Sequence, residues 1–147
     1  MIYPTNCPKY QHLTLPDIKQ MFYRFRVEEK RRNFLRFYWY RNNNPGDELI
    51  EYRMRALVFG NSPFPVVATF GLRNIVELAD LDVKDLVNSN FYVDDGIISL
   101  PSGSVSISLV KRTQSILKTE GQLRLHKVTT NKTAVMKVFE PCDLGET

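Results

Sequence analysis

The chain has 147 residues, of which 43% are apolar, and a net charge of +4, so it is long enough for one domain with a packed core. No segment approaches the roughly 18 consecutive apolar residues that a transmembrane helix needs, which excludes a membrane partner. The N-terminus lacks the basic region and apolar core of a secretory signal, so we expect an intracellular protein that is not secreted.

The first third of the chain predicts a strand, a helical turn and a hairpin. Residues 13–18 form a short apolar run that includes Asp17 near its end, and residues 19–25 have the pattern of one or two helical turns. The aromatic-rich residues 33–40 and the partly alternating residues 49–59 predict two strands. The turn-forming residues of "RNNNPGDE" lie between them, so the two strands are expected to form a hairpin.

The middle of the chain predicts two helices and a second hairpin. Residues 81–87 indicate a short helix, and residues 90–93 and 97–100 indicate short strands around "DDG", since an Asp-Gly step between apolar runs is typical of a hairpin turn. A longer helix is expected over residues 66–81. Its buried stripe is predicted to contain Val67, Gly71, Ile75 and Leu78.

The last third predicts a long helix and a strand. The helix is expected to begin at an N-cap, Ser102 or Ser104, and to stop at Gly121. Residues 122–128 indicate a strand. The sum is a single α+β domain over residues 1–147, with helices packed on one face of an antiparallel sheet. The inward side chains of the long helix are predicted to be Val105, Leu109, Thr113, Ile116 and Leu117.

The positive charge is concentrated in residues 23–41, where seven Arg or Lys and two Glu are interleaved with seven aromatic residues. This mixture suits a surface that neutralises phosphates and stacks on bases. From composition alone, the simpler interpretation is a strand with a solvated basic face. The single tryptophan, Trp39, is expected in the core, and a stacking platform is the alternative.

The adjacent acids Asp94 and Asp95 predict a metal site. Two carboxylates a few ångströms apart repel each other, and a divalent cation relieves that conflict. Mg²⁺ is commonly bound by one or two carboxylates together with substrate phosphates. Asp17, also near the end of a predicted strand, is the candidate third ligand. The alternatives are that the pair is only a polar turn and that Asp17 is only a helix N-cap.

Four segments in this order resemble the palm motifs of reverse transcriptases, most closely those of BEL/Pao-type LTR retrotransposons. The segments are "LPDIKQMFYRFRV", "EYRMRALVFG" with "VVATFGLR", "NFYVDDGI" and "EGQLRLHKVTTN", and the likeness covers residues 13–138. The resemblance implies a polymerase palm and RNA-directed DNA synthesis with Mg²⁺ or Mn²⁺. It also implies an RNA or DNA template-primer and deoxynucleoside triphosphates as partners, within a retroelement polyprotein in the cytoplasm or a virus-like particle.

The same resemblance implies roles for individual residues. Asp17 and Asp94 match metal-binding aspartates, Asp95 matches the supporting acid beside them, and Lys127 matches a lysine near the leaving pyrophosphate. The alternative for Lys127 is an ordinary exposed strand lysine, and His126 is expected to be a satisfied polar residue. The expected nucleotide contacts are the Ile18 carbonyl, Phe22, Gly60 and Pro65, where Phe22 is alternatively a core residue. The expected nucleic-acid contacts are Tyr92 and Val93 under the primer end, with Arg24, Arg26 and Arg36 along the track.

The chain also departs from this pattern. Pro63 and Phe64 stand where related elements carry serines, and Pro63 removes a backbone donor near the expected nucleotide pocket. Only 16 residues precede Asp17, so we expect a fragment with incomplete fingers and thumb and with weak activity or none. The alternative function is a non-catalytic nucleic-acid-binding remnant of a retroelement polymerase. A degenerate copy without a selected role is the third possibility.

Overall fold

The computed structural model describes residues 12–58, 60 and 62–145. These residues form a mixed α+β fold with antiparallel sheets and helices, as the sequence predicted. Phe59, expected in the returning strand of the first hairpin, lies outside the described residues. Within the described residues, no helix combines the length and the apolar character that a membrane crossing requires.

The described residues form seven strands and five α-helices. The strands are His12–Ile18 (β1), Arg36–Tyr40 (β2), Leu49–Arg53 (β3), Phe91–Tyr92 (β4), Asp95–Gly96 (β5), Ile98–Leu100 (β6) and Leu125–Thr130 (β7). The helices are Met21–Arg24 (α1), Phe64–Ile75 (α2), Leu81–Asn90 (α3), Gly103–Gly121 (α4) and Thr133–Met136 (α5). A 3₁₀ helix, Glu29–Leu35, occupies the start of the region predicted as the first hairpin strand.

Strand β1 lies at the centre of the larger sheet. On one side it pairs antiparallel with both β5 and β6, and on the other side with β7. Asp17 lies opposite Asp95 and Thr14 opposite Ile98. Strands β5 and β6 therefore pair with β1 in the same register. Pro16 lies between these two pairs, and its missing N–H explains why the ladder is interrupted there.

The core lies on one face of this sheet. Along β1, Thr14, Pro16 and Ile18 are buried and the alternate residues are less covered, which is the pattern of a strand with one packed face. Helix α4 covers this face, and the buried Thr14 and Ser106 hydroxyls share a hydrogen bond of 3.0 Å. The largest fully buried apolar side chains include Ile18, Met21, Leu72, Leu117, Leu123 and Leu125.

Helix α4 agrees with the prediction at both ends. The Ser102 hydroxyl caps it by accepting a hydrogen bond from the Val105 N–H at 3.4 Å, and the left-handed Gln122 follows Gly121 at its end. The prediction that Val105 points inward is wrong, since this side chain is 50% exposed. The buried stripe consists of Ser106, Leu109, Val110, Thr113 and Leu117.

Helix α2 begins and ends earlier than predicted, and its buried stripe is displaced by one residue. Ala68, Leu72 and Val76 are buried, whereas Val67 is exposed and Leu78, beyond the end of the helix, is completely exposed. A stripe that includes Val67, Gly71 and Ile75 keeps a strict spacing of four. An α-helix turns every 3.6 residues, so apolar spacing alone did not decide which of two adjacent stripes faces the core.

Strands β2 and β3 form a separate two-stranded hairpin, as predicted. Its stem joins the core through a hydrogen bond of 3.1 Å from the Leu57 N–H to the Phe25 carbonyl. The Phe25 ring occupies the space that a side chain at Gly71 of α2 would need, so the missing Cβ allows this close approach. The prediction that Trp39 lies in the core is wrong, because this residue is 51% exposed on the hairpin.

Candidate active site

Four polar side chains form a row across the open face of the larger sheet. Tyr92 pairs with Asp95, Asp95 with Asp17, and Asp17 with His126, each in the neighbouring strand. Directly opposed residues point to the same face, with Cβ atoms about 4.5–5.5 Å apart. We call Asp95, Asp17 and His126 the acid row. The structure therefore brings together two acids that lie 78 positions apart in the sequence.

Asp94 lies beside the row, in the turn between β4 and β5. The prediction that "DDG" forms this turn is wrong by two residues, because Val93 and Asp94 are the turn residues and Asp95 already belongs to β5. Val93 has a φ of 59°, which is strained for a β-branched residue. The Asp94 carbonyl accepts a hydrogen bond of 2.9 Å from the Ile18 N–H, which holds the turn against β1.

Gly96 has a packing role instead of a turn role. It is buried in β5, and a Cβ at this position would lie 2.8 Å from the Phe91 ring and 3.0 Å from the Pro16 ring. The Asp-Gly step therefore marks a close approach of two rings to the backbone, and the turn forms at the strained Val93.

Lys127 reaches the acid row from a bulge in β7. The register between β1 and β7 shifts by one residue between Leu15 and Asp17, opposite Pro16, and Lys127 adopts a φ of 48° there. A bulge reorients side chains next to it. Here the Lys127 Nζ donates a hydrogen bond of 3.1 Å to the Asp17 Oδ2. His126 Nε2 lies 3.4 Å from the other oxygen, Oδ1, so both oxygens of Asp17 have a partner.

Burial, hydrogen bonding and neighbouring charges shift the pKa values of Asp95, His126 and Lys127. Loss of hydration raises the pKa of Asp95, and the negative charges of Asp94 and Asp17 raise it further. The hydrogen bond to Asp17 raises the pKa of Lys127, which keeps its ammonium charged. Burial lowers the pKa of His126 and outweighs the attraction of Asp17, which favours a neutral imidazole. The site thus has an excess of negative charge that one ammonium group balances in part.

A groove of about 750 Å³ runs along this open face. Asp17, Asp95, His126 and Lys127 line one part of it, and the rest is lined by small or apolar residues. The lining residues that carry no charge are Leu15, Pro16, Gly96, Ile97, Thr129, Leu144 and Gly145. The groove therefore combines charged side chains with apolar and small ones.

The donor types in the row fit a hard divalent cation. Asp17 and Asp95 offer carboxylate oxygens, which Mg²⁺ and Mn²⁺ prefer. Loss of hydration, and after it the charges of Asp94 and Asp17, raise the pKa of Asp95, and a bound cation would offset those charges. Across the part of the chain that the structure describes, no three acidic, histidine or cysteine side chains are arranged closely enough to hold an ion together. The Asp17 carboxylate faces Lys127 and His126.

The remaining predicted site residues lie outside the groove lining. Ile18 and Phe22 are buried in the core, Gly60 is exposed with a φ of 92°, and Pro65 lies in the first turn of α2. Tyr92 is 84% exposed at the end of the row. Among the predicted nucleic-acid contacts, Arg24 and Arg26 are exposed, and Arg36 forms an ion pair of 3.3 Å with Glu51 of the first hairpin.

Two residues of the site were not assigned a part in it from the sequence. Pro16 was not singled out, although a proline directly before a strand acid signals an interrupted ladder. His126 was expected to be a satisfied polar residue, and its contact with Asp17 depends on the β1–β7 register, which no local pattern shows.

Comparison with known proteins adds no family to this description. No protein-family model matches the chain, and no curated protein matches it.

Proposed function

We propose that this chain is the palm of an RNA-directed DNA polymerase of the BEL/Pao retrotransposon type, which transfers nucleotides to a primer 3′-hydroxyl. One observation carries the proposal. Asp17 and Asp95 face each other from adjacent antiparallel strands, and Asp94 lies in the turn that is bonded to β1. Two acids that lie 78 positions apart in the sequence thus meet in adjacent strands, which supports the proposal.

Asp17, Asp94 and Asp95 are the residues that would hold the divalent cation. When bound, the cation would supply a Lewis acid that lowers the pKa of the primer hydroxyl and neutralises the triphosphate. Lys127 holds a proton at Nζ beside Asp17, where the resemblance expects the leaving pyrophosphate. The uncharged part of the groove offers space beside these groups for a strand that is bound without readout of its sequence.

Direct binding of Mn²⁺ tests the cation site without relying on turnover. Loss of the free Mn²⁺ signal in electron paramagnetic resonance should show binding by the natural chain. We expect Asp17→Asn and Asp95→Asn each to weaken it at least about tenfold, since altering even the surroundings of metal ligands has effects of this size. Asp85→Asn, an exposed acid on α3, is the matched control and should bind like the natural chain. Equal Mn²⁺ binding by all four proteins would contradict the proposal.

Primer extension tests the chemistry. The chain should add thymidine nucleotides to oligo(dT) annealed to poly(rA) in the presence of Mn²⁺, and Asp17→Asn should abolish this activity. The Asp85→Asn protein should extend the primer like the natural chain. Absence of extension by a folded natural chain would overturn the catalytic part of the proposal.

A second candidate function is nucleic-acid binding without catalysis. The observation that favours it is the pairing of Lys127 and His126 with Asp17, because both partners occupy the carboxylate that a cation needs. This candidate predicts nucleic-acid binding that does not depend on a divalent cation and does not change in Asp95→Asn. Cation-dependent binding that Asp95→Asn removes would contradict it.

A further inference from the structure

The hairpin of β2 and β3 presents aromatic rings on both faces, with Tyr38 and Tyr40 on one and three further rings together on the other. Cross-strand pairing places Phe37 opposite Tyr52 and Trp39 opposite Ile50, so these four side chains share a face. We call Phe37, Trp39 and Tyr52 the aromatic face. The other face carries the pairs Arg36–Arg53 and Tyr38–Glu51. The two faces of one small hairpin therefore differ in chemistry.

The rings of the aromatic face are held in place by their neighbours. Phe37 and Tyr52 are stacked, with ring centroids 5.7 Å apart and an angle of 23° between the planes. The Trp39 indole N–H donates a hydrogen bond of 2.9 Å to the Asn43 side-chain oxygen. Ordered rings lose little side-chain entropy when a planar ligand stacks on them.

The rings of this face are partly exposed. Phe37 is 40% exposed, Trp39 51% and Tyr52 37%. An isolated two-stranded hairpin is only marginally stable in water, and a contiguous exposed apolar patch is typical of an interaction site. The question is then which class of molecule the patch binds.

The distribution of charge selects the class. Residues 23–55 contain nine Arg or Lys and five Asp or Glu, a net charge of +4 that equals the net charge of the whole chain. The rest of the chain is therefore neutral, and the excess positive charge belongs to the hairpin and its stem. The stem arginines Arg24, Arg26 and Arg55 are exposed. A second copy of the chain would bring the same positive segment to the same face, which opposes self-association.

We propose that the aromatic face binds single-stranded nucleic acid, whose bases stack on Phe37, Trp39 and Tyr52 while the surrounding arginines neutralise its phosphates. Stacking on protein aromatics requires bases with free faces, which a duplex does not offer along its length. The proposal does not rest on the polymerase function, because the aromatic face and the acid row lie in different sheets. If this proposal fails, the proposed function of the acid row is not affected.

The only tryptophan of the chain lies on this face, so its fluorescence reports binding at the proposed place. Titration with oligothymidylate or oligouridylate should quench the emission of Trp39, and quenching should weaken as salt is added. Quenching by both oligonucleotides would show that the face binds single strands of either kind. Quenching by only one of them would show that it binds only DNA or only RNA. Stronger quenching by a duplex of equal length than by either single strand would overturn the proposal, as would absence of quenching.

Two substitutions on the face and one on the opposite face make the test specific. Phe37→Leu and Tyr52→Leu keep an apolar side chain and remove the ring, and each should weaken binding at least about fivefold, the low end for loss of one stacked base. Tyr38→Leu removes an equally aromatic and more exposed ring, at 67%, from the other face and should change binding less than about twofold.

The unliganded variants show whether the hairpin has kept its structure. An emission maximum of Trp39 equal to that of the natural chain indicates an intact hairpin, and the affinities are compared among variants that meet this condition. Equal weakening by Tyr38→Leu and Phe37→Leu would overturn the proposal. Emission that changes with protein concentration in the absence of oligonucleotide would assign the face to a second copy and would also overturn it.

Discussion

The two sheets of this chain differ in what covers them. The larger sheet has one face closed by α4 and one open face that carries the acid row. The β2–β3 hairpin exposes its aromatic residues on both faces. Apolar side chains therefore have different roles in the two sheets. In the larger sheet they hold the charged groups at fixed positions, whereas in the hairpin they form a surface that is available to a partner.

The largest expected effect is a difference in the free energy of unfolding between a substitution in the core of the larger sheet and one in the hairpin. Leu117→Ala removes a completely buried side chain of α4 and should reduce the free energy of unfolding by about 2–5 kcal/mol. Leu49→Ala makes the same chemical change in the hairpin, where the side chain is 58% exposed, and should cost within about 0.5 kcal/mol. Urea unfolding followed by circular dichroism measures both. Equal losses would show that the hairpin packs against the core in solution.

A smaller effect tests how the core is closed against β1. Ser106→Ala leaves the buried Thr14 hydroxyl without its partner and should cost about 1–3 kcal/mol. Adding Thr14→Val removes the second hydroxyl with little change of shape, so the double variant should be more stable than the sum of the single losses predicts. Strict additivity in urea unfolding would contradict a direct hydrogen bond between these hydroxyls.

Substitution of Lys127 tests how its ammonium group affects cation binding on the open face of the larger sheet. Lys127→Met removes the positive charge that contacts Asp17, and Mn²⁺ affinity should rise about fivefold, which corresponds to roughly 1 kcal/mol for unit charges 4 Å apart in water. Lys118→Met, an exposed lysine at the end of α4, is the matched control and should leave the affinity unchanged. Weaker Mn²⁺ binding in Lys127→Met would indicate that this lysine supports the cation site.

The smallest effect concerns the repulsion within the acid row. Asp95→Asn should stabilise the cation-free protein at pH 7 by roughly 0.2–1 kcal/mol, the range for a cross-strand charge pair. Because the pKa of Asp95 is raised in the folded protein, the natural side chain contributes stability when protonated and loses it as pH rises through that raised pKa. The advantage of Asp95→Asn should therefore vanish below the ordinary value of 3.8. An advantage that stays constant down to acid pH would exclude repulsion as its cause.

Local sequence patterns predicted the elements of both sheets well, because each element has its own signal. The N-cap Ser102, the apolar run of residues 13–18 and the turn residues of "RNNNPGDE" act over a few residues and led to correct predictions. The predictions for the burial of Trp39 and for the stripe of α2 were wrong. Both depend on which neighbour covers an apolar side chain, and aromatic residues favour a strand whether or not its face is covered.

The charged residues that line the groove were predictable only in part. The motifs point to Asp17, Asp94 and Asp95, and the structure pairs Asp17 with Asp95 and bonds the Asp94 backbone to β1. Within the described residues it does not bring three such side chains close enough to share an ion. The position of the turn was not predictable from the Asp-Gly step, because Val93 adopts a strained conformation that tertiary contacts must stabilise. The contacts of Lys127 and His126 arise from a bulge between strands that are more than a hundred residues apart in sequence.

The proline in β1 has a consequence for the accuracy of folding. Pro16 has no N–H to give to either neighbour, so only pairings that leave its position without a ladder bond avoid a penalty. A slip of one residue would turn Asp17 into the apolar interior and Ile18 into the groove. A misaligned β1 is thus destabilised in two ways. The observed alignment, in which the charge of Asp17 stays in water, is favoured.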